Sequence, residues 1–188
     1  MRRRGDVAGS VVVHSGPVGA MRQSSSRRVV LVTGMSGVGK TTALRGLSAR
    51  GHRTVDLDYG YSLLVPDLSV PVGWAQLWDE DRLRALLDTH RAGTLFLAGT
   101  VENQGRFYDR FDAVVLLTAP AEVLLERITR RTDNPFGKDS AGRATVLASL
   151  ETVEPALRAT STHVLDATRP PGEVVVDLER IASGQRTA

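Results

Sequence analysis

The stretch Gly34-Met35-Ser36-Gly37-Val38-Gly39-Lys40-Thr41 constrains this 188-residue chain more than any other feature. It fits the spacing G-x-x-x-x-G-K-[ST] at every required position. Glycines at 34, 37 and 39 let the backbone curl so that successive N–H groups, those of Ser36 and Val38 included, turn inward as an anion cradle. A helix opening near Lys40 adds the partial positive charge of its N-terminus. Lys40 supplies an ammonium for β- and γ-phosphate oxygens, the Thr41 hydroxyl can ligate Mg²⁺, and Thr42 can reach an α-phosphate. Context agrees, because the β-branched run Val29–Thr33 precedes the loop and a helix over Thr41–Ala49 follows it. The implied ligand is a nucleoside triphosphate, ATP, with Mg²⁺.

Charge and composition narrow the class. The formal net charge is +3, but residues 1–28 hold six arginines against one aspartate, and the rest of the chain is net acidic by two. A nucleic-acid-binding domain carries its positive charge on the folded body, so the distribution argues against a nucleic-acid partner. No cysteine is present, which excludes disulfides, thiolate metal sites and cysteine nucleophiles. No apolar run approaches the roughly 18 residues of a membrane span, and the expectation is a cytoplasmic protein, monomer or homodimer. Of 24 basic residues only Lys40 and Lys138 are lysine.

Residues 1–27, rich in Gly, Ser and Arg, read as a disordered leader, with Met21 as a possible true start. From Arg28 to residue 188 strands and helices alternate as one domain. Strands are predicted at Val29–Thr33, Thr54–Leu57, Leu95–Ala98, Ala113–Leu117 and His163–Leu165. Asp79 is placed to cap a helix over Glu80–His90, and Asp139 or Ser140 another. Pro120 and Pro170-Pro171 mark further helix starts, while Pro66 and Pro71 make Tyr59–Gly73 read as irregular. The pattern predicts an α/β fold of three layers: a five-stranded parallel sheet, order 2-3-1-4-5, helices on both faces, ligands at the carboxyl ends of the strands, and a small lid over 132–140.

With these elements in order, residues 28–183 resemble the small P-loop kinases of the shikimate, adenylate and cytidylate kinase group. Asp56-Leu57-Asp58, ending the second strand, is similar to the Asp-x-Asp of shikimate-kinase-like proteins. The resemblance implies that Asp56 serves Mg²⁺ with Thr41, and that Asp58 positions or deprotonates the acceptor. Arg127 and Arg131, one helical turn apart, resemble the paired arginines of adenylate-kinase-like enzymes. That likeness assigns Arg127 to adenine stacking and Arg131, with Arg130 as substitute, to the transferring phosphoryl group. Lys138 would add charge as the lid shuts. Ala167, Thr168 and Arg169 would neighbour the adenine edge.

The likeness fails after the third strand. Shikimate kinases carry a glycine run there, and this chain reads Gly99-Thr100-Val101-Glu102-Asn103-Gln104-Gly105. The acceptor is expected between Tyr59–Trp78 and Glu102–Arg110, where Tyr59, Tyr61, Trp74, Trp78 and Tyr108 concentrate aromatic area. Trp74 and Trp78 read equally as core anchors. Arg82, Arg84, Arg106 and Arg110 read as solvated, and His52, His90 and His163 as structural or surface residues. The leading expectation is an ATP-dependent kinase with Lys40, Asp58 and Arg131 as catalytic residues and an unidentified small-molecule acceptor. Two rivals are an ATPase or nucleotide-dependent switch, with Glu102 or Gln104 orienting water, and a non-catalytic nucleotide-binding partner of a larger assembly.

Overall fold

Val29 to Val32 are fully buried, as a β-branched strand covered on both faces must be. In the computed structural model, which describes residues 26–68, 74–132 and 134–185, that strand is the centre of the molecule. The chain runs β1 (Arg28–Thr33), α1 (Lys40–Ala49), β2 (Arg53–Asp56), β3 (Ser62–Pro66), β4 (Trp74–Trp78), α2 (Glu80–Thr89) and β5 (Thr94–Ala98). A 3₁₀ helix over Glu102–Arg110 follows, then β6 (Ala113–Thr118), α3 (Ala121–Arg130), α4 (Ser140–Thr152), α5 (Glu154–Thr160), β7 (His163–Asp166) and α6 (Pro171–Ala182).

The main sheet has the order β2-β5-β1-β6-β7, parallel throughout. With the β3–β4 hairpin set aside, this is the expected order 2-3-1-4-5. Register places Val30 beside Phe96 on one neighbour and Ala113 on the other. Side chains alternate between two layers. Val30 and Val32 pack with Leu44 and Leu47 of α1 and Val174 and Leu178 of α6. Val29 and Leu31 pack on the opposite face with Leu83 and Leu87 of α2, Trp78 and Phe107.

Local chemistry accounts for the helix starts. Asp79 accepts from Arg82 N at 3.1 Å and Asp139 from Gly142 N at 2.7 Å, so α2 and α4 carry the side-chain caps their sequences predict. Helix α1 begins after Gly39, which is left-handed and provides no side-chain cap. Its first amides therefore stay available to another acceptor.

Two features differ from expectation. Ser62–Pro66 and Trp74–Trp78 form an antiparallel hairpin with Pro66 opposite Trp74, where the prolines had made the segment read as irregular. Both members of a two-stranded sheet have a free edge, and an edge tolerates a residue without an N–H. Contact with the domain also begins one residue before Arg28, since Arg27 Nε donates to His90 O at 3.0 Å. Most of the predicted leader, residues 1–25 with Met21, lies outside the described residues, as do Pro71, Gly73 and Asp133. No helix among the described residues is long and apolar enough to cross a membrane.

Candidate functional site

The loop between β1 and α1 opens at the carboxyl end of the sheet into a cleft of about 690 Å³. Its backbone needs glycine for two reasons. Gly34 (φ +137°) lies against the Leu117 carbonyl, where a Cβ would collide. Gly37 (φ +83°) faces the middle of α3, and a Cβ there would stand 2.8 Å from Leu124 O and 2.9 Å from Ile128 Cγ1. Ser36, Gly37, Val38, Gly39, Lys40, Thr41 and Thr42 all line the cleft.

The Lys40 ammonium folds back to donate to Gly34 O and, at 3.3 Å, to Met35 O. Burial pulls its pKa below the usual lysine value, opposed by the carboxylates of Asp58 and Asp56 and assisted by Arg131. Thr41 Oγ1 donates to Asp56 Oδ2 at 2.9 Å, and Asp56 Oδ1 accepts from Asp58 N at 3.2 Å. Asp58 projects into the cleft. Although the residue is exposed, partial desolvation pushes its pKa above the usual carboxylate value, Lys40 works against the shift, and Asp56 adds to it. Among the described residues no cluster of three acidic, His or Cys side chains could cage a metal ion. A hydroxyl and a carboxylate in mutual contact beside a phosphate cradle are the hard oxygen donors Mg²⁺ takes, with phosphate and water oxygens completing its shell.

Arginines close the opposite wall. Arg127 donates to Val38 O at 3.1 Å and to Ala167 O at 2.8 Å, tying the phosphate loop to the turn after β7. Arg131 donates to Ser36 Oγ at 3.3 Å and to the Asn134 and Phe136 carbonyls, joining the segment after α3 to the loop. Arg169 and Ala167 line the cleft too, but the Arg169 guanidinium is engaged by Asp177 at 2.6 Å and Glu173 at 2.9 Å. Thr168 turns away to bond Asp166. Lys138 is exposed and lies outside the cleft lining.

On the acceptor side the expected aromatic cluster divides. Tyr59 is exposed and lines the cleft beside Asp58. Trp78 is buried against Phe107, Trp74 is exposed, and Tyr61 lies under the Arg82 guanidinium. Arg84 and Arg106 pair with Glu80, and Arg110 with Asp88. Gln104 is 3% exposed, and its amide is consumed by Thr33, Val101 N and Tyr108. It is buried away from the cleft and absent from its lining. Glu102 is exposed and absent from the cleft lining. Two residues escaped the sequence reading. Gln76 lines the cleft from β4, a strand whose sequence Trp74-Ala75-Gln76-Leu77-Trp78 carries no clean alternation to announce it. Thr100 bonds both the N–H and the carbonyl of Gly34, a contact between distant segments that no local pattern announces.

Comparison with known proteins agrees with this architecture. The AAA domain family model matches residues 30–148. Shikimate kinase 2 of Yersinia enterocolitica is 28% identical over 170 residues, covering 85% of this chain and 98% of that protein. The solved shikimate kinase from Acinetobacter baumannii, in complex with shikimate, shares the fold at TM-score 0.61 and 19% identity, over 85% of this chain and 95% of that one. The gluconokinase from Sinorhizobium meliloti does so at TM-score 0.51 and 20% identity, over 86% and 95%. The chain belongs to the AAA domain family and is a P-loop kinase-like NTPase.

Proposed function

We propose that this protein is an ATP-dependent phosphotransferase that moves the γ-phosphoryl group of ATP to a hydroxyl of a small acceptor. The observation that carries the reading is convergence. One cleft collects the P-loop amides, Lys40, Thr41 and, on opposite walls, Asp58 and Arg131. The amides and Lys40 would hold the phosphates, and Arg127 would border the adenine. Thr41 and Asp56 would hold Mg²⁺, which when bound supplies charge neutralisation at the phosphate oxygens. Asp58 would accept a hydrogen bond from the attacking hydroxyl, and its raised pKa brings it nearer the range in which a carboxylate also accepts the proton. Arg131 would balance charge spread over the transferring group.

A hydrolase reading is disfavoured because Gln104 is buried and neither it nor Glu102 lines the cleft, whereas a water-directed NTPase needs a side chain in the site to orient the nucleophile. The small-molecule kinase relatives support an acceptor other than water. The test is ATP labelled at the γ-phosphate, incubated with a panel of sugars, cyclic polyols and nucleosides beside a water-only control. Label should reach one hydroxyl class well above the water rate. Equal phosphate release with and without every acceptor would remove the kinase reading.

A further inference from the structure

The backbone of Gly34 is held by a single hydroxyl from another strand. Thr100, just past the carboxyl end of β5, donates through Oγ1 to Gly34 O at 2.9 Å and accepts from Gly34 N at 3.2 Å. The same oxygen lies 3.0 Å from the buried Thr33 Oγ1. Thr33 in turn reaches Gln104 Oε1 at 3.4 Å, and Gln104 donates to the Tyr108 hydroxyl at 2.7 Å. Gly34 O is also where the Lys40 ammonium rests. Two donors therefore share one carbonyl, and one of them belongs to the side chain that must leave it to meet phosphate.

Proton counting shows what this sharing achieves. Thr100 has one proton and two lone pairs. With its proton on Gly34 O, one lone pair accepts from Gly34 N–H, and the other faces the Thr33 hydroxyl, whose single proton is divided between Thr100 Oγ1 and Gln104 Oε1. If Lys40 then swings away, Gly34 O keeps a donor. Without Thr100, the departure of Lys40 would leave a carbonyl in the loop unpaired, and such a group resists losing its last partner.

We propose that Thr100 is a positioning residue that releases Lys40 for phosphate binding by holding the Gly34 carbonyl in its place. The proposal rests on the nucleotide-site reading above. It also links the phosphate loop to the Gly99–Gln104 segment through the Thr33 and Thr100 hydroxyls.

Calorimetric titration with Mg·ATP and with ADP tests it on four full-length proteins: native, Thr100→Val, Thr100→Ser and Lys40→Ala, with the Lys40→Ala/Thr100→Val double variant as a fifth. Thr100→Val should weaken Mg·ATP binding about tenfold or more, the size expected for one unsatisfied carbonyl. Thr100→Ser should restore affinity to within about twofold, because the hydroxyl alone is needed. In the Lys40→Ala background, Thr100→Val should leave ADP affinity unchanged, since no ammonium has to move. An equal loss with and without Lys40, or no rescue by serine, would make Thr100 a packing residue and overturn the proposal. A native protein that binds no nucleotide would instead overturn the site reading itself, and this proposal with it.

Discussion

At the scale of single residues, the site is a set of charges held against their preference. Asp58 is exposed on the cleft wall, yet partial desolvation there favours the neutral acid, Lys40 opposes that preference and Asp56 adds to it. A folded-state pKa above the unfolded value means the native protein binds more protons across that window. Ionised Asp58 is then a destabilising element, fully present above the folded pKa and relieved as pH falls below it. Asp58→Asn should therefore unfold at a higher temperature than the native protein at pH 7, with the difference vanishing in acid, as thermal denaturation between pH 3 and pH 8 would show. The same variant should keep Mg·ATP affinity within about threefold and lose at least about a hundredfold in transfer rate, if the carboxylate aligns the nucleophile. Retained transfer would take Asp58 out of the mechanism. The phosphate loop was fully legible in the sequence, because its residue types and spacing are required by local backbone geometry. Arg169 was not: its ion pairs with Glu173 and Asp177 arise from one face of α6, whose position only the folded chain sets.

At the scale of elements, boundaries were readable wherever a cap or a proline fixes them, as at Asp79, Asp139, Pro120 and Pro170. They were obscure wherever tertiary contact decides. The hairpin is the clearest case. Trp78 is held by Asn103, which accepts from Trp78 N at 2.9 Å and donates to Trp78 O at 3.0 Å, so the 3₁₀ helix finishes a strand that local propensity leaves ambiguous. The segment between α3 and α4, read as a lid from the sequence, shows the opposite case, a local device with a distant effect. Asp139 caps α4 at its junction with the lid, and Gly137 packs on Ile128, the α3 residue that also meets Gly37 of the phosphate loop. Asp139→Ala should lose about 1 kcal/mol of stability, the usual size of a lost cap. It should also speed tryptic cleavage at the adjacent Lys138, with Mg·ATP restoring protection. Unchanged proteolysis would show that the cap supports α4 alone and has no hold on the lid.

At the scale of the whole molecule, charge is distributed against its average. Beyond residue 28 the chain is net acidic, yet the cleft is lined by Lys40, Arg45, Arg127, Arg130, Arg131 and Arg169 against the single carboxylate of Asp58. Positive potential concentrated in a concave wall draws a polyanion and leaves the remaining surface without such a pull. The sequence showed the average but not this separation, because the arginines come from α1, α3 and the turns after α3 and β7, which only the parallel sheet brings to one end. Because the site is built from segments across the domain, ligand binding should register as global stability. A ligand at a hundred times its dissociation constant adds about 2.7 kcal/mol, and for a domain of this size each kcal/mol raises the melting temperature by roughly 2–4 °C. Saturating Mg·ATP should thus raise the melting point by about 5–10 °C at low salt, less at high salt as screening weakens the cleft's field. Lys40→Ala should remove most of that increment while leaving the unliganded protein as stable as the native one or more so, because the ammonium it deletes is held at a desolvation cost. An ATP-induced shift that survives Lys40→Ala undiminished would place the triphosphate somewhere other than this cradle.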